Sequence, residues 1–201
     1  MKAVNHHLLG IRWSWPLWLL YMGLMLLLCS LGFWQLGRAE QKRQFLEQQQ
    51  QAMQSPPVNL NLTPLSSVQR YQTVVATGHF DGQHSLLIDN QIQDGKPGYW
   101  VMTPFIFTNG NAAILVNRGW VALSSDRQHL PEVTVNDQTV RIQGRLNHFP
   151  QPGLILEGAE IPTASWPAVV QVIKPSLIEQ RLGYPLQAMQ IELDADQMHG
   201  Y

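Results

Sequence analysis

The 201-residue chain has one cysteine, Cys29, and it lies inside an apolar run. The rest of the chain therefore has no disulfide, no CxxC redox pair and no thiolate metal site. Charge of one sign is also scarce: the formal net charge is −1, the pI is about 6.6, and no basic cluster of five or six residues occurs. That balance argues against nucleic acid as a partner. Hydrolase and nucleotide signatures are missing too, with no GxSxG, no HExxH, no P-loop and no GxGxxG after a strand. No solenoid-type repeat is visible. These residues assign no catalytic group and call for no enzyme.

What the sequence does have is a long hydrophobic run. Residues 13–36, WSWPLWLLYMGLMLLLCSLGFWQL, carry no charge and are bracketed by Arg12 and Arg38. At ~1.5 Å per helical residue the run spans roughly 36 Å, enough for a ~30 Å hydrocarbon core. Trp13, Trp15 and Trp18 mark one end and Trp34 the other, where amphipathic rings favour the headgroup region. Pro16 falls in the first turn, where its missing N–H costs least. A cleaved signal peptide has a shorter apolar core and a small-x-small site, whereas this run continues into Phe33-Trp34-Gln35-Leu36. A lipoprotein signal wants small residues before its cysteine, but Leu27-Leu28 precede Cys29. The reading is a retained transmembrane helix. Lys2 and Arg12 on one side against Arg38, Lys42 and Arg43 on the other leave its direction open.

Residues 37–54 are rich in helix formers and lack proline, which predicts a polar helical stalk ended by Ser55-Pro56-Pro57. Beyond Val58 the pattern changes to short β-type runs. Strands are expected over 71–80, 85–89, 99–108, 112–123, 139–146, 168–173 and 186–193. Asp81-Gly82 reads as a hairpin turn, 94–98 as a loop, and Asn109-Gly110 as a type I′ hairpin turn. Residues 124–131 read as a polar connection. A short helix is expected over 175–182, opened by Pro175 and stopped by Gly183. The fold class is α+β and membrane-anchored: one N-terminal transmembrane helix, then a mostly antiparallel β-sheet or barrel-like domain with one or two short helices. Roughly 145 residues beyond the linker suffice to bury a core without disulfides or metals.

Candidate chemistry is sparse. His79, Asp81 and His84 flank the Asp-Gly turn, with Asp89 further on, and read as exposed ends of a hairpin rather than as metal ligands. His6-His7, His129, His148 and His199 have no ligand spacing, and Asp194 with Asp196 reads as a polar turn. The dense feature is Val116-Asn117-Arg118-Gly119-Trp120-Val121 together with Gly98-Tyr99-Trp100-Val101. Arg118 in an apolar strand suits two roles. It could pair with a buried carboxylate and stack on a ring, fixing the sheet, or present a planar cation to a ligand carboxylate or propionate. Gly119 allows a bulge or a close backbone approach.

These residues also carry a resemblance. Gly32-Phe33-Trp34-Gln35-Leu36-Gly37-Arg38 with Lys42, the Gly98-Tyr99 turn, Thr103-Pro104 and the Val116-Asn117-Arg118-Gly119-Trp120-Val121 strand resemble the surfeit locus protein one family. Tyr71, Val74, Gly78 and Phe80 fit its preceding strand, and Val140, Gly144 and Leu146 its later one. The match runs over about residues 20–195. It implies a non-enzymatic assembly factor for haem–copper cytochrome c oxidase that assists haem a insertion into the catalytic subunit. Implied partners are the bilayer, that subunit and other assembly factors. The implied place is the bacterial cytoplasmic (inner) membrane, given the lack of an arginine- and serine-rich transit peptide. The implied topology is a cytoplasmic tail (1–12), transmembrane helix (13–36), stalk and linker (37–57) and periplasmic domain (58–201).

The motif residues Trp34, Gln35, Arg38, Gly98, Tyr99, Pro104, Asn117, Arg118, Gly119 and Trp120 are the expected structural core or partner surface. Haem a enters through the resemblance alone. The family continues into a second transmembrane helix carrying the histidine suspected of ligating haem; no apolar run follows Pro185, so that role is not transferred to His199. The expectation is a chain lacking the C-terminal helix. A generic membrane-tethered binding or scaffold module is the alternative. A copper chaperone is not, because paired thiols and a methionine–histidine cluster are both missing.

Overall fold

The computed structural model describes residues 15–110, 112–124, 129–151, 153, 157–194, 197 and 199–201. Trp13, His6-His7, Asp196 and half of the 124–131 connection (125–128) lie outside them. The chain divides into two compact units, residues 1–48 and 49–201, with the boundary inside the long helix.

That helix, α1, runs unbroken over Trp15–Gln54 and is 40 residues long. It is long and apolar enough to cross a membrane, and its apolar window is solvent-exposed throughout. Leu19, Leu20, Leu26 and Leu36 are all more than half exposed, so no core among the described residues accounts for their hydrophobicity. Arg43 reaches Glu40 at 3.1 Å and Glu47 at 3.7 Å, the spacing that supports a solvated helix face. The helix stops before Ser55-Pro56-Pro57, where proline removes the next donors.

The second unit is a single twisted sheet of eight strands: β1 Val58–Asn59, β2 Thr73–Phe80, β3 Leu86–Gln93, β4 Lys96–Phe107, β5 Ala113–Ala122, β6 Val140–Asn147, β7 Ala168–Val170 and β8 Leu186–Leu193. Their order is β1-β2-β6-β8-β5-β4-β3-β7, and an added β2–β4 pairing closes β2, β6, β8, β5 and β4 into a five-stranded barrel. Most pairings are antiparallel; β1–β2, β3–β7 and β5–β8 are parallel. Closure depends on two glycines. A Cβ on Gly78 would lie 2.1 Å from the Ile106 carbonyl oxygen, and one on Gly144 would lie 2.2 Å from that of Glu192. Any side chain there would prise adjacent strands apart.

The barrel interior holds Val74, Ala76, Phe80, Phe105, Ile114, Val116, Ile142, Leu146 and Ile191. Phe80 and Phe105 meet edge to face at 5.0 Å between ring centres. The outer face of β3, β4 and β5 packs under the short helix α2, Pro175–Leu182, through Leu86, Ile88, Met102, Leu115 and Ile178. Proline at its start and Gly183 at φ 78° beyond its end bound α2 as the sequence predicts. A third cluster joins Leu87, Tyr99, Val101 and Val133.

Several local expectations are corrected. The type I′ turn lies at Asp94-Gly95, where both residues have positive φ (50° and 74°) and Gln93 pairs with Lys96. Residues 94–98 are therefore a tight hairpin, not a loop. Asn109 and Gly110 do not have positive φ, and the β4–β5 connection is wider. The physical reason is a tether: the Asn109 side-chain amide donates to the Asn61 carbonyl, and Asn61 Nδ2 returns a bond to Asn109 Oδ1 at 3.1 Å. Asp81-Gly82 is no hairpin turn either. A 3₁₀ turn over Gly82–His84 follows β2, and β2 pairs with β1, β4 and β6 instead of β3. Strand β2 starts at Thr73 because Tyr71 takes φ 68° and breaks the extended run. Strand β3 extends to Gln93 through a bulge at Asn90, φ 61°, while β7 ends at Val170.

Candidate functional site

The Asn-Arg-Gly-Trp segment forms a bulge in β5. Opposite it, β4 residues Trp100 and Met102 pair with Trp120 and Asn117, which sets the two residues Arg118 and Gly119 against Val101 alone. Gly119 takes φ 114°, and the Asn117 side-chain oxygen accepts its N–H at 3.0 Å. The bulge turns Arg118 inward, to 4% exposure, between Phe80 of the barrel interior and Val133 of the third cluster.

A guanidinium has five N–H donors. Here Nε donates to the His199 carbonyl at 2.9 Å, and Nη1 to the Val133 carbonyl at 2.9 Å and Thr103 Oγ1 at 3.4 Å. Nη2 donates to the Thr134 carbonyl and the Tyr201 hydroxyl, both at 3.4 Å. The plane lies 4.9 Å from the Tyr201 ring centre and 5.8 Å from that of Phe80. Burial pushes the Arg118 pKa below its ordinary value, and the interaction with Tyr201 opposes that shift. Among the described residues no carboxylate pairs with it. Arg118 therefore joins three separate strands of chain: the sheet, the 133–134 segment and the 199–201 segment. The last is also held by its backbone, since the Tyr201 N–H donates to the Arg118 carbonyl at 2.6 Å. A Cβ on Gly119 would stand 2.5 Å from the Tyr201 carbonyl oxygen, so the bulge serves close approach as well as direction.

The other motif residues divide between this cluster and elsewhere. The Trp120 indole lies on Gly98, where a Cβ would meet ring atoms at 2.4 Å, and its N–H donates to the Gln91 carbonyl at 3.2 Å. Tyr99 is buried in the third cluster. Pro104 is buried further along β4, and its carbonyl accepts the Asp81 N–H at 2.9 Å. Trp34, Gln35 and Arg38 lie on α1, where the Arg38 guanidinium sits 5.4 Å from the Trp34 ring centre. Sequence reasoning missed Thr103, Val133, Thr134, His199 and Tyr201 as partners of Arg118. Three of these contribute backbone carbonyls, which any residue supplies, so no sequence signal marks them.

The histidine–aspartate group near residue 81 is a structural knot. Asp81 Oδ2 accepts the Tyr184 hydroxyl at 2.7 Å and meets His84 Nδ1 at 2.6 Å, while the His84 ring abuts Trp166. Burial and the Asp81 carboxylate push the Tyr184 pKa up. Among the described residues no group of three or more His, Cys, Asp or Glu is placed to hold a metal ion. A haem does not fit the Arg118 cluster in this arrangement. All five Arg118 donors face protein oxygens, leaving none for a propionate, and the His199 ring is packed edge-on against Phe80 at 5.6 Å.

An apolar helix long enough to span a bilayer, followed by a small closed barrel with a buried arginine clamp, defines a class of helix-tethered β-domain proteins. Within that class the SURF1 family model matches residues 22–201, and the chain belongs to the SURF1 family. It is 35% identical over 114 residues to a SURF1-like protein of Rickettsia felis, covering 51% of this chain and 49% of that one. It is 34% identical over 108 residues to Surfeit locus protein 1 of Arabidopsis thaliana, covering 47% and 30%. It is 28% identical over 95 residues to the cytochrome oxidase assembly protein SHY1 of Saccharomyces cerevisiae, covering 46% and 24%. The chain spans about half the length of the Rickettsia relatives it matches, 49% in the case of R. felis.

Proposed function

We propose that this protein is an accessory factor in the assembly of cytochrome c oxidase. It assists haem a insertion into the catalytic subunit and does not itself turn over a substrate. The observation that carries this reading is family membership across residues 22–201, in a family with a yeast relative named for oxidase assembly. In this reading α1 anchors the chain in the bacterial cytoplasmic membrane, the N-terminus is cytoplasmic and the β-domain is periplasmic. The buried Arg118 acts through shape: it fixes the 133–134 and 199–201 segments against the barrel and so presents one defined surface to a partner. Gly98, Asn117, Gly119 and Trp120 serve the same end by shaping the bulge and the edge beside it.

Two measurements test the reading. Isolation of the detergent-solubilised protein should recover the oxidase catalytic subunit, above the level seen with an unrelated single-span protein. Recovery at only that background would favour the generic scaffold reading. Reporter fusions active only outside the cytoplasm should be active when joined after residue 201 and silent when joined before residue 13; the reverse pattern would refute the topology.

A further inference from the structure

Just past its apolar run, α1 sorts its charges onto two faces. At ~100° of turn per residue, Gln35, Arg38, Gln41, Lys42 and Phe45 fall within an arc of about 120°, and Glu40, Arg43 and Glu47 fall in the arc opposite. On that opposite face the charges meet one another. Arg43 lies 3.1 Å from Glu40 and 3.7 Å from Glu47, and the Gln44 amide also donates to Glu40 at 3.1 Å. The first face has no carboxylate. Its two cations, Arg38 and Lys42, are exposed and form no ion pair among the described residues. A shallow groove runs along this face, lined by Gln35, Arg38, Ala39, Gln41, Lys42 and Phe45.

Depth and chemistry select the occupant. Arg38 and Lys42 stand roughly 3 and 9 Å along the axis past Leu36, the end of the apolar run, and the headgroup layer is about 5–7 Å thick beyond the hydrocarbon core. Their long stems let both cations settle into that layer. One turn apart, with Cβ atoms about 5–6 Å from each other, they can share a single phosphodiester. The Arg38 guanidinium sits 5.4 Å from the centre of the Trp34 ring, which holds it at the boundary of the apolar region. Leu31, exposed on the same face, continues the site into the hydrocarbon. Two uncompensated cations favour a lipid whose headgroup has no cation of its own. An acidic protein segment would match the charges but leave Leu31 and Trp34 uncovered.

We propose that this face of α1 binds an anionic phospholipid, its phosphodiester held between Arg38 and Lys42 and an acyl chain lying along Leu31 and Trp34. The inference rests on α1 as a membrane span, in whichever direction it crosses, and not on the oxidase reading.

The test uses the ¹⁵N-labelled full chain in phosphatidylcholine nanodiscs into which phosphatidylglycerol is mixed stepwise, with the Trp34 indole and Arg38 Nε signals followed. The expected result is a saturable shift of both. At about fivefold in affinity per cation, Arg38→Gln with Lys42→Gln should weaken binding roughly 25-fold, read at Trp34. The decisive variant combines Lys42→Gln with Gln44→Lys. It keeps the net charge and nearly the depth but moves one cation to the other face, beside Glu40, and should weaken binding about fivefold. Unchanged affinity in that variant means general surface attraction and overturns the proposal. So does the absence of a saturable shift, or an equal response to inorganic phosphate or a hexaglutamate peptide in pure phosphatidylcholine discs. A chain that fails to enter the nanodiscs would refute the span and this inference with it, whereas an inserted chain without lipid preference refutes the inference alone.

Discussion

Replacing Arg118 with lysine keeps the charge and removes the fork. The guanidinium reaches five oxygens on three segments of chain, whereas an ammonium has three donors on one atom and no planar face for Tyr201. At least two of the five bonds must be lost, and the carbonyls of His199, Val133 and Thr134 compete for those that remain. A hydrogen bond to a charged group contributes about 1.5–3 kcal/mol, but two of the three weaker contacts at 3.4 Å are the natural ones to go. With lost stacking included, Arg118→Lys should cost about 3 kcal/mol. For a unit of this size that corresponds to a fall in Tm of roughly 6–12 °C. Urea and thermal unfolding of the detergent-solubilised protein measure the loss, and amide exchange at Tyr201 reports whether the 199–201 segment has been released. A destabilisation below about 0.5 kcal/mol with unchanged protection at Tyr201 would refute the clamp, since such small effects are typical of surface changes.

Further outcomes follow from other contacts. Gly119→Ala places a methyl 2.5 Å from the Tyr201 carbonyl at φ 114°; it should destabilise by about 2 kcal/mol and raise exchange at Tyr201, with unchanged exchange counting against the close approach. Tyr184, whose folded pKa is raised, contributes stability that is complete below its unfolded pKa of about 10 and is lost as pH rises above it. Tyr184→Phe should therefore flatten the alkaline side of the stability–pH profile and cost about 1 kcal/mol at pH 7, and an identical alkaline slope would contradict the Asp81 bond. Leu26→Arg, in the exposed apolar stretch of α1, should disfavour insertion by about 3 kcal/mol and move protein from the membrane pellet to the supernatant; full retention would argue against the anchor.

The parts of the fold legible in the sequence are those set by local chemistry. The apolar run of α1, the alternating strands and the Pro175–Gly183 bounds of α2 each reflect nearest-neighbour preferences and appear where expected. Non-local ties are what the sequence conceals. Asn109-Gly110 and Asp94-Gly95 carry the same turn signal, and only the bond from Asn109 to Asn61, across 48 residues, decides which forms the tight hairpin. Similarly, His79 and His84 seem to flank a hairpin until the crossover separates β2 from β3. At the site, the spacing marks Arg118 and Gly119 as unusual, but the acceptors of Arg118 are three backbone carbonyls and two hydroxyls, the farthest 83 residues away at Tyr201.

The central claim is that the protein supports maturation of the oxidase and not some unrelated membrane process. The reduced-minus-oxidised spectrum of membranes from a strain lacking it, measured beside one re-expressing the wild-type chain, tests that claim most directly. A loss of haem a absorbance together with cytochrome c oxidase activity, both restored by re-expression, is the predicted result; unchanged absorbance and activity in the deletion strain would contradict it.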